Sequence, residues 1–264
     1  MIKREFKVNI KSFLIWLTIL IGIFLVVFLV YPSIIDSGNM KEIDKMLTMF
    51  PEEMLKAFNM DLSSLNSAYG WLKSEGFVFV LLIIGSYAGI MGSNILLKEE
   101  SDKTIEYLNS LPISRTTIVL NKVVVGIMFV ILITIGLGIF NYIGLSCSGE
   151  FDEKQYILLS MTPILSSLVI FSLCLFLSTF THKTKKMLGV SLGIVFISYI
   201  LQMLSTIADS VSWLKYLSVF TLADIRNVIE KSTINPIMVV ISLGLTCLLI
   251  GLTLFRYNKK ELLD

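Results

Sequence analysis

Residues 77–122 read FVFVLLIIGSYAGIMGSNILLKEESDKTIEYLNSLPISRTTIVLNK. Phe77–Leu97 holds no Asp, Glu, Lys or Arg and is long enough to cross about 30 Å of hydrocarbon as a helix. Charge begins abruptly at Lys98, persists through a polar insert to Lys122, and gives way at Val123 to a second uncharged run. The stretch therefore holds the end of one span, a connection outside the lipid and the start of the next, which sets the fold as an all-α membrane protein.

Four further runs have the same character, Phe13–Tyr31, Tyr156–Phe180, Met187–Ile207 and Pro236–Phe255, so with Phe77–Leu97 and Val123–Leu145 the chain carries six expected spans in a single transmembrane domain over residues 1–264. Composition agrees: 55% of residues are hydrophobic, 16% are charged and the mean hydropathy is +0.82, well outside the soluble range. Ion, proton and voltage handling normally rest on ionisable residues inside the membrane, and none of the six runs contains Asp, Glu, Lys or Arg. Proton-coupled and voltage-gated functions are thereby disfavoured. The distribution of Lys and Arg sets the orientation. Placing both termini and the 98–122 insert in the cytoplasm puts 14 of the 22 basic residues inside, while 13 of the 20 acidic residues lie outside. Phe13–Tyr31 follows a basic segment, yet it is too long for a typical signal-peptide core and no small-residue cleavage site follows, so it reads as an uncleaved first span.

Ahead of that span, Ile2, Phe6, Ile10 and Phe13 recur at helical spacing beside Lys3, Arg4, Lys7 and Lys11, the pattern of a basic amphipathic helix lying in the inner interface; a disordered basic tail has the same composition. The first outer loop, 32–76, predicts two short surface helices from Met40, Ile43, Leu47 and Phe50 and then from Pro51, Met54, Leu55 and Phe58. Their Met-rich face suits either a greasy substrate or simple packing on lipid. Between Ala208 and Asn235, Trp213, Leu214, Leu217, Phe220 and Leu222 predict an interfacial or re-entrant hairpin with an aromatic anchor. Gly85–Gly89 and Gly189–Gly193 allow close helix approach. Cys147, Cys174 and Cys247 form no disulfide framework and no metal-ligand spacing, and read as packing residues.

Catalytic chemistry has little to build on. The single histidine, His182, falls in the basic inner loop THKTKK, where it reads as solvated. The pair Glu99–Glu100, with Asp102, suits the first turn of a helix, whose dipole acids complement. There is no Gly-x-x-x-x-Gly-Lys-Ser/Thr phosphate loop and no soluble stretch large enough for a nucleotide-binding domain. Work against a gradient would need an ATPase on another chain.

Within the insert, Ile105, Leu108 and Leu111 recur every three residues, Pro112 stops that helix, and Ser114 caps a second one running through Thr117 and Leu120 into the third span. The expected elbow displays Glu106, Asn109 and Arg115 to the cytosol, suited to docking in a groove of another protein. These residues carry a resemblance. The segment from Gly92 to Lys122 resembles the signature of ABC-2-type ABC transporter permeases, in which an acidic pair precedes Gly-Thr-x-Glu-x-Leu-Leu and then Pro-x-Ser-Arg before a lysine that opens the next span. Glu99, Glu100, Thr104, Glu106, Leu108, Pro112, Ser114, Arg115 and Lys122 match in kind and order, while Lys103, Asn109 and Asn121 depart from it. The preceding outer loop is also similar to that of a subgroup of these permeases, so the resemblance extends over most of the chain.

The resemblance implies that Glu99, Glu100, Thr104, Glu106, Leu108, Pro112, Ser114 and Arg115 form a coupling helix seated in a cleft of a separate ATP-binding subunit. It implies two copies of that subunit, carrying the ATP and Mg that this chain does not, and a second copy of the permease or a homologous one. The chain itself would be non-catalytic, multi-pass in a cell membrane, in all expectation the bacterial plasma membrane, with lipid around it and no nucleic-acid partner. From the uncharged spans the cargo is expected to be hydrophobic or amphipathic, a peptide, antibiotic or lipid-like molecule exported by alternating access. The competing expectation is a permease-like sensor or scaffold that engages an ATPase without transporting.

Overall fold

A computed structural model describes residues 1–36, 67–102, 104, 113–207 and 209–260, and among these there is no strand. The elements are α1 (Ile2–Asp36), α2 (Ala68–Trp71), a π-helical turn (Leu72–Gly76), α3 (Phe77–Ser101), α4 (Arg115–Ser148), α5 (Glu153–Ser178), α6 (Thr184–Ile207), two 3-10 turns (Asp209–Leu217 and Val219–Ala223), α7 (Ile225–Lys231) and α8 (Pro236–Lys259). Six segments are long and apolar enough to cross a membrane: α1, α2 through α3, α4, α5, α6 and α8. Each coincides with one of the six apolar runs, but the helices continue into charged sequence, because backbone hydrogen bonding does not stop where hydropathy does. Tertiary contacts show that the six alternate in direction: Glu5, Glu99, Lys122, Thr181 and Lys260 meet at one face, and Tyr69, Tyr142, Phe151 and Gln155 at the other.

Local chemistry sets the ends. Ser114 Oγ accepts from the Thr117 N–H at 3.2 Å to open α4, Asp152 accepts from Gln155 N–H at 3.0 Å to open α5, and Asn235 caps α8 with Pro236 in its first turn. Gly149, at φ 145°, takes the chain out of α4 in a conformation that a side chain would strain. Pro163 lies inside α5, where it cannot donate to the Leu159 carbonyl; the Thr162 hydroxyl donates to that oxygen at 2.9 Å instead. Other span hydroxyls, such as Ser93, Thr134, Ser172 and Ser191, likewise donate to carbonyls of their own helix. These four are satisfied within their own helices.

α3 and α5 form the centre, with 67% and 61% of their most apolar windows buried, whereas α1, α6 and α8 present most of theirs outward. The central pair approaches closely because Gly92 faces the Phe171 backbone: a Cβ there would lie 2.2 Å from the Phe171 carbonyl oxygen. Gly85 and Gly89 serve the same purpose against Ile170, and Gly85 also receives the Phe220 ring. Gly189 and Gly193 instead meet nothing within 4 Å on an open face of α6. At the face away from the termini, Tyr69, Tyr142, Phe151 and Tyr156 cluster with ring centroids 5.5–6.4 Å apart. Gln155 joins that cluster to the 209–235 hairpin, accepting from Tyr69 at 2.8 Å and donating to the Ile229 carbonyl at 3.0 Å.

Two expectations need revision. The N-terminal segment is not a separate helix but the first turns of α1; Phe6 stacks on Phe129 of α4 at 4.8 Å and Phe13 packs tilted against it at 5.3 Å, so this part of its apolar stripe is covered by protein while Ile2 stays exposed. Nothing between Ile2 and Tyr31 breaks the helix, and Phe129 offers the stripe a better-matched surface. Of the three cysteines only Cys174 packs in the core; Cys147 and Cys247 are exposed. The expected hairpin is present over 209–235, built of 3-10 turns and α7; it buries Phe220 and Leu222 and leaves Trp213 and Tyr216 outside. The two surface helices expected between Met40 and Phe58 lie outside the described residues.

Candidate functional site

In sequence the charged insert joins the end of α3 to the start of α4, so its two roots are the natural place to seek a site. Both roots are ionic. Glu99, in the last turn of α3, is buried, and its Oε1 accepts from Lys122 Nζ at 3.1 Å. Lys122 lies two turns into α4 with 1% of its surface exposed, and the same ammonium donates to Glu5 Oε2 of α1 at 3.2 Å. One cation thus ties α1, α3 and α4 together. Burying three ionised groups is costly unless each keeps charged partners, and this geometry gives each of them at least one.

Glu100, the next residue, faces the other way. Its Oε1 accepts from Lys260 Nζ at 2.7 Å and its Oε2 lies 2.6 Å from His182 Nδ1. Lys260 also donates to the Thr181 carbonyl at 3.0 Å, and its own carbonyl accepts from the Arg115 guanidinium at 3.0 Å. Asn258 donates to Thr116 at 3.2 Å on the same side. The end of α8, the α5–α6 turn, the end of α3 and the first turn of α4 are therefore stapled through Glu100 and Lys260, and Tyr257, one turn before Lys260, is buried. Adjacent residues on one helix end, Glu99 and Glu100, hold two separate networks that together reach α1, α3, α4, the end of α8 and the turn between α5 and α6.

The residues expected to couple to a partner divide accordingly. Glu99 and Glu100 are not displayed on the surface; their carboxylates are consumed inside the chain. Thr104 folds back, its N–H donating to the Glu99 carbonyl at 2.9 Å. Ser114 is the exposed cap of α4, as the capping pattern predicts. Arg115, expected to face the cytosol freely, is half-buried and engaged with the Lys260 carbonyl. Glu106, Leu108 and Pro112, with Asn109, lie outside the described residues. His182 is not merely solvated but paired with Glu100.

Sequence reasoning missed Glu5, Lys260 and the burial of Lys122. A signal existed for Lys122: it shares the helical face of Val119, Val125 and Phe129, all fully buried, so a lysine there interrupts an apolar stripe. Glu5 is the only acid among the basic residues that precede the first span. Lys260 left no local trace. Chemically the arrangement holds no nucleophile poised beside a base. Among the described residues, no three His, Cys, Asp or Glu side chains gather as metal ligands. What it does is tie the end of α3 and the start of α4 to the rest of the bundle through buried charge.

The family model described as ABC-2 family transporter protein matches residues 1–262. No curated protein and no solved structure matches the chain.

Proposed function

The chain belongs to the ABC-2 family of transporter proteins, and from that premise we propose that it is the permease half of an ATP-driven exporter whose 102–114 segment receives the stroke of a separate ATP-binding subunit. The family supports a membrane transport subunit working with an ATP-binding partner; direction, stoichiometry and cargo belong to the proposal. In this reading the face that carries Met1 and Lys260 is cytoplasmic, in keeping with the basic residues gathered there, and two permeases work with two ATPases in a bacterial plasma membrane. ATP and Mg bind on the partner, and the chemistry of hydrolysis is entirely the partner's.

The observation that carries the proposal is the double ionic anchoring of the insert. A coupling element must be connected to the bundle stiffly, since only differential contacts in two states pass binding energy between sites. Glu99 with Lys122 and Glu100 with Lys260 supply that connection at the upstream root, and Arg115 and Lys122 supply it downstream. The uncharged spans support a hydrophobic or amphipathic cargo moved by alternating access at an interface between two permeases. Affinity purification of the tagged chain from its native membrane should recover an ATP-binding subunit, and deleting that subunit should abolish expulsion of a hydrophobic dye. Expulsion that persists without the subunit refutes the export reading; an associated ATPase with no dye movement and no substrate-dependent turnover favours a sensor instead.

A further inference from the structure

The most deeply buried cation described, Lys122, is not needed to explain docking of an ATPase, because it never reaches the surface. We infer that Lys122 is a positioning residue for energy coupling and that Glu5 makes the first turns of α1 a third strut of the coupling unit, an inference that rests on the coupling function proposed above.

The geometry is specific. Lys122 Nζ reaches Glu99, 23 residues upstream, and Glu5, 117 residues upstream, at nearly equal distances of 3.1 and 3.2 Å. The first contact spans the two roots of the insert, α3 and α4; the second adds α1, which touches neither root through the chain. Two turns further into the bundle, Phe129 of the same helix stacks on Phe6 and packs tilted against Phe13, so α1 is held to α4 by an ionic contact and an apolar one on the same side. A single ammonium between two carboxylates on different helices is a divided tie. If α3 is drawn away with the insert, Lys122 can keep Glu5 and lengthen its contact with Glu99, or follow Glu99 and give up Glu5, and in neither case is the cation left alone. Two arrangements of one buried contact are what a discrete switch requires, in contrast to a hinge that deforms continuously. On this account the stroke received at the insert is passed through Lys122 to α1, whose remaining length runs across the membrane as the most outward-facing span together with α8.

The test uses the full chain co-purified with its ATP-binding subunit in lipid nanodiscs, with hydrolysis of Mg-ATP as the readout. Glu5→Gln is the informative variant, since it leaves Lys122 paired with Glu99, whereas Lys122→Met strands two carboxylates and threatens folding. Glu5→Gln is expected to retain the ATP-binding subunit at wild-type stoichiometry and to leave KM for ATP unchanged, while kcat falls about fivefold or more; Glu5→Asp, which restores the charge, recovers the rate to within about twofold. Wild-type kcat in Glu5→Gln overturns the inference and leaves the coupling function standing. A melting temperature that falls in step with kcat, or an equal loss in Glu5→Asp, also overturns it, because the residue would then be acting through packing alone. If the wild-type chain retains no ATP-binding subunit, the proposed function fails and takes this inference with it.

Discussion

Replacing Lys122 with methionine measures the worth of the buried cation. The side chain is 1% exposed, and its two partners, Glu5 and Glu99, have 4% and 8% of their side-chain surface exposed, so water cannot take over when the ammonium is removed. Removing one partner of a buried ion pair costs about 3–5 kcal/mol. Here two acids lose their cation, and since each sits in direct contact with Nζ they lie no more than about 6 Å apart, where like charges repel by about 3 kcal/mol at an effective dielectric of 20. The upper part of that range applies, about 5 kcal/mol, which for a chain of this size lowers the melting temperature by on the order of 10 °C. Thermal unfolding of the purified protein in nanodiscs, followed by intrinsic tryptophan fluorescence, reads the change. The triple variant Lys122→Met, Glu5→Gln, Glu99→Gln buries no charge and should recover more than half of the loss, because replacing a whole buried ionic cluster is far milder than breaking it. A single variant that melts within about 2 °C of wild type, or a triple variant no more stable than the single one, would refute the assignment of these three groups as one buried unit.

Two further outcomes follow from packing and orientation. Gly92→Ala drives a methyl group to 2.2 Å from the Phe171 carbonyl oxygen, a backbone atom that cannot swing aside, and should cost about 1–3 kcal/mol by forcing α3 from α5. Gly189→Ala, with nothing within 4 Å, should be neutral or stabilising by up to about 1 kcal/mol through helix propensity; equal melting of the two variants would contradict the close approach. A membrane-impermeant maleimide applied to intact cells should modify Cys147, exposed at the end of α4 remote from the termini, and spare buried Cys174. Labelling of Cys147 only after the cytoplasmic side is opened would invert the orientation.

The spans were legible because hydrocarbon imposes a length and an absence of charge that a run such as Val123–Leu145 satisfies by itself. Helix ends were less so: α1 begins at Ile2, well before the apolar run at Phe13, because a helix can carry Lys3 and Lys7 outward while Phe6 packs inward. The charged insert could be singled out as the informative connection, and Ser114 as its cap, since both are local patterns. The roles of Glu99 and Glu100 were not legible. Glu99 shares Lys122, 23 positions on, with Glu5, 117 positions before that lysine, and Glu100 pairs with Lys260, 160 positions on; no local periodicity encodes such pairings. The carboxylates of Glu99 and Glu100 are engaged inside the chain, and under the proposed function the groups that would meet a partner lie further along the insert, Glu106 and Asn109 among them.

That division of labour is tested most directly by cross-linking. A photoreactive amino acid placed at position 106 or 109 of the full chain, irradiated in native membranes, should form a covalent adduct with an ATP-binding subunit, whereas the same group at position 150, at the opposite face, should form none. An ATPase that co-purifies with the chain yet forms its adducts only from position 150, or from neither 106 nor 109, would contradict the claim that the segment between α3 and α4 is where this permease meets its motor.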